Sequence, residues 1–218
     1  MKLAWVTDPH LNFISNTEIK VFTKYLNDYE ADGVVITGDI AEASTVVPFL
    51  GLIAKSVTKP IYFVLGNHDF YHSSIEDVRT DVNDLTRQFK HLHYLTKKEV
   101  IALTPNVGIM GHDLWYDCKS GTFMTSSFWL ADFEYIQDYI DTNKTKEDIF
   151  EISKLITEPG LQHIGGLIGR VGENNCYIAT YPKVLEDKSV SSLNVGEHVM
   201  AEYSLSGTNG VYAIYRVK

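Results

Sequence analysis

A chain of 218 residues with 44% hydrophobic and 22% charged residues is long enough to bury a core of its own, which excludes disordered, collagen-like and disulfide-scaffold classes. Nineteen Lys and Arg against 28 Asp and Glu leave a net charge of -9, so bulk attraction to phosphate backbones or anionic lipid is disfavoured. Two cysteines, Cys118 and Cys176, are too few for a disulfide framework and point to a reducing cytoplasm; Asp8 interrupts the N-terminus before a signal-peptide core forms, and no apolar run reaches the ~20 residues of a bilayer span.

Three short apolar runs, 3–6, 33–36 and 61–65, read as strands buried on both faces of a parallel sheet, because they are continuous rather than alternating. Ile19, Phe22, Tyr25, Leu26 and Tyr29 recur at helical spacing between the first two, and 46–57 is an apolar stretch between the second and third, which predicts β-α-β-α-β. Next come a helix over 74–89 capped by Ser73 or Ser74, strands over 100–103 and 107–110, and helices over 128–139 and 147–156. The character changes at Thr157-Glu158-Pro159-Gly160, where a domain boundary is expected. The predicted class is therefore α/β over 1–157, followed by a small all-β barrel over 160–218, glycine-punctuated and balanced in charge.

Each of the three strands runs directly into metal-competent side chains: Asp8-Pro9-His10, Gly38-Asp39, and Gly66-Asn67-His68-Asp69. Loops at the carboxyl ends of parallel strands converge on one crevice, so these residues can meet although they lie about thirty apart in the chain. Carboxylates with imidazole suit Mn, Fe or Zn, and a central Asp can bridge two ions. Any one of these motifs alone reads equally as a helix cap or a turn; their order and strand context argue for a metal site.

The three blocks resemble the signatures of the calcineurin-like metallophosphoesterases, and the similarity continues through Gly111-His112-Asp113-Leu114-Trp115-Tyr116-Asp117 and Leu130-Ala131-Asp132-Phe133, to about residue 157. The resemblance implies two divalent metals. Asp8 and His10 would hold one, Asp39 would bridge both, Asn67 would hold the second, and His68, oriented by Asp69, would be the general acid or transition-state stabiliser. It implies hydrolysis of a phosphomonoester or phosphodiester, on a phosphorylated small molecule, a nucleotide or a nucleic acid, with no membrane partner.

The later histidine blocks of that family are missing. His112 and His163 are the substitutes considered for metal or substrate, His198 reads as a strand residue, and His91 and His93 are expected to cap a helix or face water. His72, close to the third block, is placed near substrate. A partner subunit in a homo-oligomer could complete the shells, and the alternative function is an impaired relative that binds metal, phosphate or single-stranded nucleic acid without turnover. The tail weakly resembles a cold-shock or OB-type barrel, in which Tyr177, Tyr212 and Tyr215 would stack on bases; the same tyrosines could instead close a small core, and Trp115 and Trp129 are expected in the core.

Overall fold

The structure is a computed structural model that describes residues 1–96, 98–105, 107–113, 118, 122–127, 129–140, 145–171, 176–180 and 212–214. The first sheet is parallel in the order β1-β2-β3-β4, formed by Leu3–Val6, Gly33–Thr37, Ile61–Val64 and Leu92–Tyr94. Its register pairs Val6 with Ile36 and Thr37 with Val64, so β1, β2 and β3 end level and their following loops emerge together.

Helices α1 (Asn16–Asp28), α2 (Ala43–Ser56) and α3 (Ile75–Thr86) make the crossovers. Ser15 caps α1 in a reciprocal bond with Glu18, and Ser74 caps α3 by accepting from the Asp77 amide at 3.1 Å, a device contributing about 1 kcal/mol. Residues in β2 and β3 alternate between two packing faces. Val34, Ile36, Ile61 and Phe63 enter the larger core with the helices. Val35, Tyr62 and Val64 pack on the other side with Leu95 and Ile109.

That second face lies against the strands β5 (Ile101–Thr104) and β6 (Val107–Ile109), which begin the second sheet. There β7 (Cys176–Thr180) pairs parallel with β6, and β8 (Tyr212–Ile214) antiparallel with β7. These two C-terminal strands extend the sheet of β5 and β6. The barrel expected over 160–218 otherwise falls outside the described residues.

Three local expectations are corrected. β1 pairs with β2 alone among the described residues, and Trp5 is 56% exposed, so this strand is an edge and is not buried on both faces. Helix α1 forms where the spacing predicts it, with Ile19, Thr23 and Leu26 in the buried stripe and Tyr25 and Tyr29 facing solvent. The single helix over 128–139 is instead α4 (Asp132–Tyr135) and α5 (Gln137–Ile140), broken where Ile136 turns extended to bury its side chain. Helix α6 (Lys146–Val171) continues through Pro159 and Gly160.

His91 immediately precedes the short strand β4 and His93 lies within it, so neither caps a helix. His91 Nε2 lies 2.9 Å from the Ala54 carbonyl, and His93 stacks on Tyr62 with ring centroids 5.1 Å apart. Trp129 is partly exposed, its indole donating to Glu134 at 2.9 Å, so it is not a core residue; Trp115 lies outside the described residues. No helix among the described residues is long and apolar enough to cross a membrane.

Candidate metal centre

The backbone at the first two loop tips is unusual. Asp8, His10 and Asp39 all have positive φ, at 48°, 40° and 49°. Left-handed conformations cost a non-glycine residue about 1–3 kcal/mol and persist only where the surroundings enforce them. Here the enforcing groups are backbone bonds between the loops: the His10 amide donates to the Asp39 carbonyl at 3.0 Å, and the Leu11 amide to the Ile40 carbonyl at 2.8 Å.

The third loop is fastened to the second by carboxylates. Asp39 Oδ1 accepts from the His68 amide at 3.1 Å. Asp69, fully buried, accepts from the Ala41 amide and the Gly66 amide, both at 2.8 Å. The described bonds of Asp69 go to the backbone of both loops, at Ala41 and Gly66, while the His68 amide is held by Asp39. Two glycines are required by space. A Cβ on Gly38, whose φ is +86°, would sit 2.5 Å from the Gly66 nitrogen, and one on Gly66 would run into the Asp39 carboxylate and lie 2.6 Å from its amide nitrogen.

The result is a cluster in which one ligand atom each from Asp8, His10 and Asp39 lie within 4.8 Å of one another. The Asp8 carboxyl reaches Asp39 closely enough to share a hydrogen bond, and His10 Nε2 lies 3.9 Å from Asp39 Oδ2. Burial, then the nearby Asp69, then Asp8 raise the Asp39 carboxyl to about 8; only the His68 amide pulls it down. Burial also pushes Asp69 up to about 7, against the pull of its backbone donors. His10 Nδ1 is buried with no hydrogen-bond partner among the described residues. Carboxylates that resist ionising together, facing the His10 Nε2 nitrogen, are the donor chemistry that a divalent cation satisfies.

His68 stands edge-on to His10, with ring centroids 4.8 Å apart, and stacks on Tyr71 at 4.4 Å. Burial and the neighbouring His10 hold it below the ordinary histidine range, with Asp132, Glu42 and Asp8 pulling the other way. Asn67, the remaining expected ligand, is buried; its Nδ2 donates to Asp132 Oδ1 at 2.7 Å, and Tyr71 Oη donates to the same oxygen at 2.7 Å. In the sequence Asp132 stands only within the family resemblance and carries no role of its own, since a lone Asp at a helix start reads as a cap.

His112 is buried beyond β6 and does not belong to the converging cluster. His163 falls within α6, and Tyr177 and Tyr212 within β7 and β8, with side chains outside the described set, as is all of Tyr215. His72 keeps a positive φ of 69° and its ring lies 5.3 Å from that of Tyr135.

Among solved structures, the phosphopantetheinyl hydrolase PptH from Mycobacterium tuberculosis is similar over 82% of this chain and 66% of its own, with a TM-score of 0.57 at 12% identity, which shows a shared fold. TT1561 of Thermus thermophilus aligns over 53% of this chain and 50% of its own, with a TM-score of 0.41 and 12% identity. The chain thus spans less than two thirds of the length of either. No curated protein sequence matches it. The family model of calcineurin-like phosphoesterases matches residues 1–167, which include the three loops after β1, β2 and β3 and Asp132, and the chain belongs to that family.

Proposed function

We propose that this protein hydrolyses phosphoric ester bonds, in a phosphomonoester or a phosphodiester, with divalent cations held at the tips of β1, β2 and β3. The observation that supports this best is the convergence of Asp8, His10 and Asp39. Asp8 and His10 would hold one cation, Asp39 would be shared with a second, and Asn67 would offer its amide oxygen to that second. Mn, Fe and Zn all suit such oxygen and nitrogen donors. When bound, such ions neutralise phosphoryl oxygens and make a nucleophilic water available at neutral pH.

The chain's own residues do the rest. The inter-loop bonds fix the donors before substrate arrives, so little ordering remains to be done on binding. His68 would serve as the proton donor to the leaving oxygen; burial and His10 hold it below the ordinary histidine range, while Asp132, Glu42 and Asp8 provide the negative field that favours its protonated form. The net charge of -9 does not oppose an anionic substrate at a loaded site, since the cations would dominate the local field.

Elemental analysis of the purified protein and turnover of an aryl phosphate and a bis-aryl phosphodiester in Mn²⁺ buffer test the reading. Two cations per chain and hydrolysis abolished by Asp39→Asn are expected. Nucleotides, single-stranded nucleic acid and phosphopantetheinyl conjugates are the natural substrate classes to assay next. A second reading, binding without turnover, is favoured by the absence of later histidine blocks from the sequence; fewer than one cation per chain and no hydrolysis would sink the enzyme in its favour. Activity per chain that rises with protein concentration would mean that a second subunit completes the site.

A further inference from the structure

Asp132 enters the site from α4, 65 residues beyond Asn67 in the chain, and is buried. One of its oxygens, Oδ1, accepts two hydrogen bonds, from Asn67 Nδ2 and from Tyr71 Oη, each at 2.7 Å. A carboxylate only accepts, so this contact fixes which branch of the Asn67 amide is nitrogen and which is oxygen. An amide ligates a hard or borderline cation through oxygen and not through its NH₂ group. The orientation of Asn67 is therefore decided by Asp132 and not by Asn67 itself.

The second bond has its own reach. Tyr71, held by Asp132, stacks its ring on His68 at 4.4 Å with the planes 27° apart. The backbone secures this brace from the other direction: the His72 amide donates to the Tyr135 carbonyl at 2.7 Å, and the Gln137 amide to the Ser73 carbonyl at 3.0 Å, so α4 and the segment after His68 are stitched together. One acceptor oxygen thus touches the side chain of one proposed ligand and the ring that supports the proposed proton donor.

From this geometry we infer that Asp132 is the positioning residue of the centre: it turns the Asn67 oxygen toward the cation and, through Tyr71, keeps the His68 ring in place. The inference rests on the hydrolase reading for the cation's role, but its test does not require turnover. Removing an outer partner of a metal ligand typically costs about 10–100-fold in metal affinity or activity.

The experiment is calorimetric titration of Mn²⁺ into metal-stripped protein, with a thermal melt of every variant. Asp132→Ala should weaken the Asn67-dependent binding step about 10–100-fold, while Asp132→Asn, which keeps an acceptor oxygen, should stay within a few-fold of wild type. Tyr71→Phe keeps the 2.7 Å bond from Asn67 to Asp132 and loses only the 3.5 Å contact of Asn67 with Tyr71 Oη, so Mn²⁺ affinity should hold within a few-fold while kcat falls. Should Asp132→Ala not fold, the pair is exchanged instead. Asn67→Asp alone sets two carboxylates against each other and should lose affinity, and the double variant Asn67→Asp with Asp132→Asn restores a donor and an acceptor and should recover it.

Wild-type affinity in Asp132→Ala, or no recovery in the double variant, overturns the inference. Equal losses in Asp132→Ala and Asp132→Asn overturn it too, since charge and not orientation would then be responsible. Wild-type protein that binds Mn²⁺ but hydrolyses nothing overturns the hydrolase reading alone; wild-type protein that binds no Mn²⁺ overturns both.

Discussion

Asp39 has its carboxylate buried beside Asp69 and Asp8, and its carboxyl is raised to about 8 in the metal-free protein. A carboxyl whose folded pKa lies above its unfolded value stabilises the fold fully below the unfolded pKa, near 4, and loses that contribution as pH climbs through the folded one. The metal-free protein should therefore lose stability between about pH 4 and 8 through this group. Asp39→Asn should flatten that loss and melt higher than wild type at pH 8 in chelator, while hydrolysing nothing; thermal melts across pH check the first and the aryl phosphate assay the second. Gly66→Ala is the steric counterpart. Its methyl meets the Asp39 carboxylate and backbone, which cannot both yield, so destabilisation of about 1–3 kcal/mol in urea unfolding and loss of Mn²⁺ binding are expected. The convergence of Asp8, His10 and Asp39 was legible because each follows a strand-like run; the contact of Asp132 with Asn67 was not, because the two lie 65 residues apart in the chain.

Helices α1, α2 and α3 and strands β1, β2 and β3 were legible in the sequence from their apolar runs and helical spacing, although Trp5 of β1 and Tyr25 and Tyr29 beside the buried stripe of α1 stay exposed. β4 escaped notice, since three residues of which only Leu92 and Tyr94 are buried carry too little pattern to stand out beside two histidines. It is held by contacts no local pattern announces. Arg79 of α3 donates from Nε to Asp113 Oδ2 at 2.8 Å, and Tyr94 of β4 donates from Oη to the same oxygen at 2.7 Å, all three groups buried. Breaking such a pair leaves an uncompensated charge, so Arg79→Met should cost about 3–5 kcal/mol, measured by denaturant unfolding. Pairing it with Asp113→Leu should recover much of that loss. Ser74→Ala at the start of α3 should cost only about 1 kcal/mol in the same assay, since water can replace the lost cap.

At the scale of the molecule, one face of the parallel sheet is covered by helices and the other by the second sheet, and the three ligand loops leave from the same end of β1, β2 and β3. The α/β architecture and the convergence of loops were legible in the sequence, but the second sheet as such was not, because β5 and β6 pair across a turn while β7 joins β6 from far along the chain. Cation binding should stabilise the whole unit, by about 2.7 kcal/mol at a concentration one hundred times Kd, so chelator should lower the melting temperature of protein purified with its metal. The amides of His10 and Leu11 already donate to carbonyls of the neighbouring loop. Stripping the ion should leave those protons as slow to exchange with deuterated solvent as before, because the scaffold that receives the metal is stitched by main chain and owes its shape to the sheet beneath it.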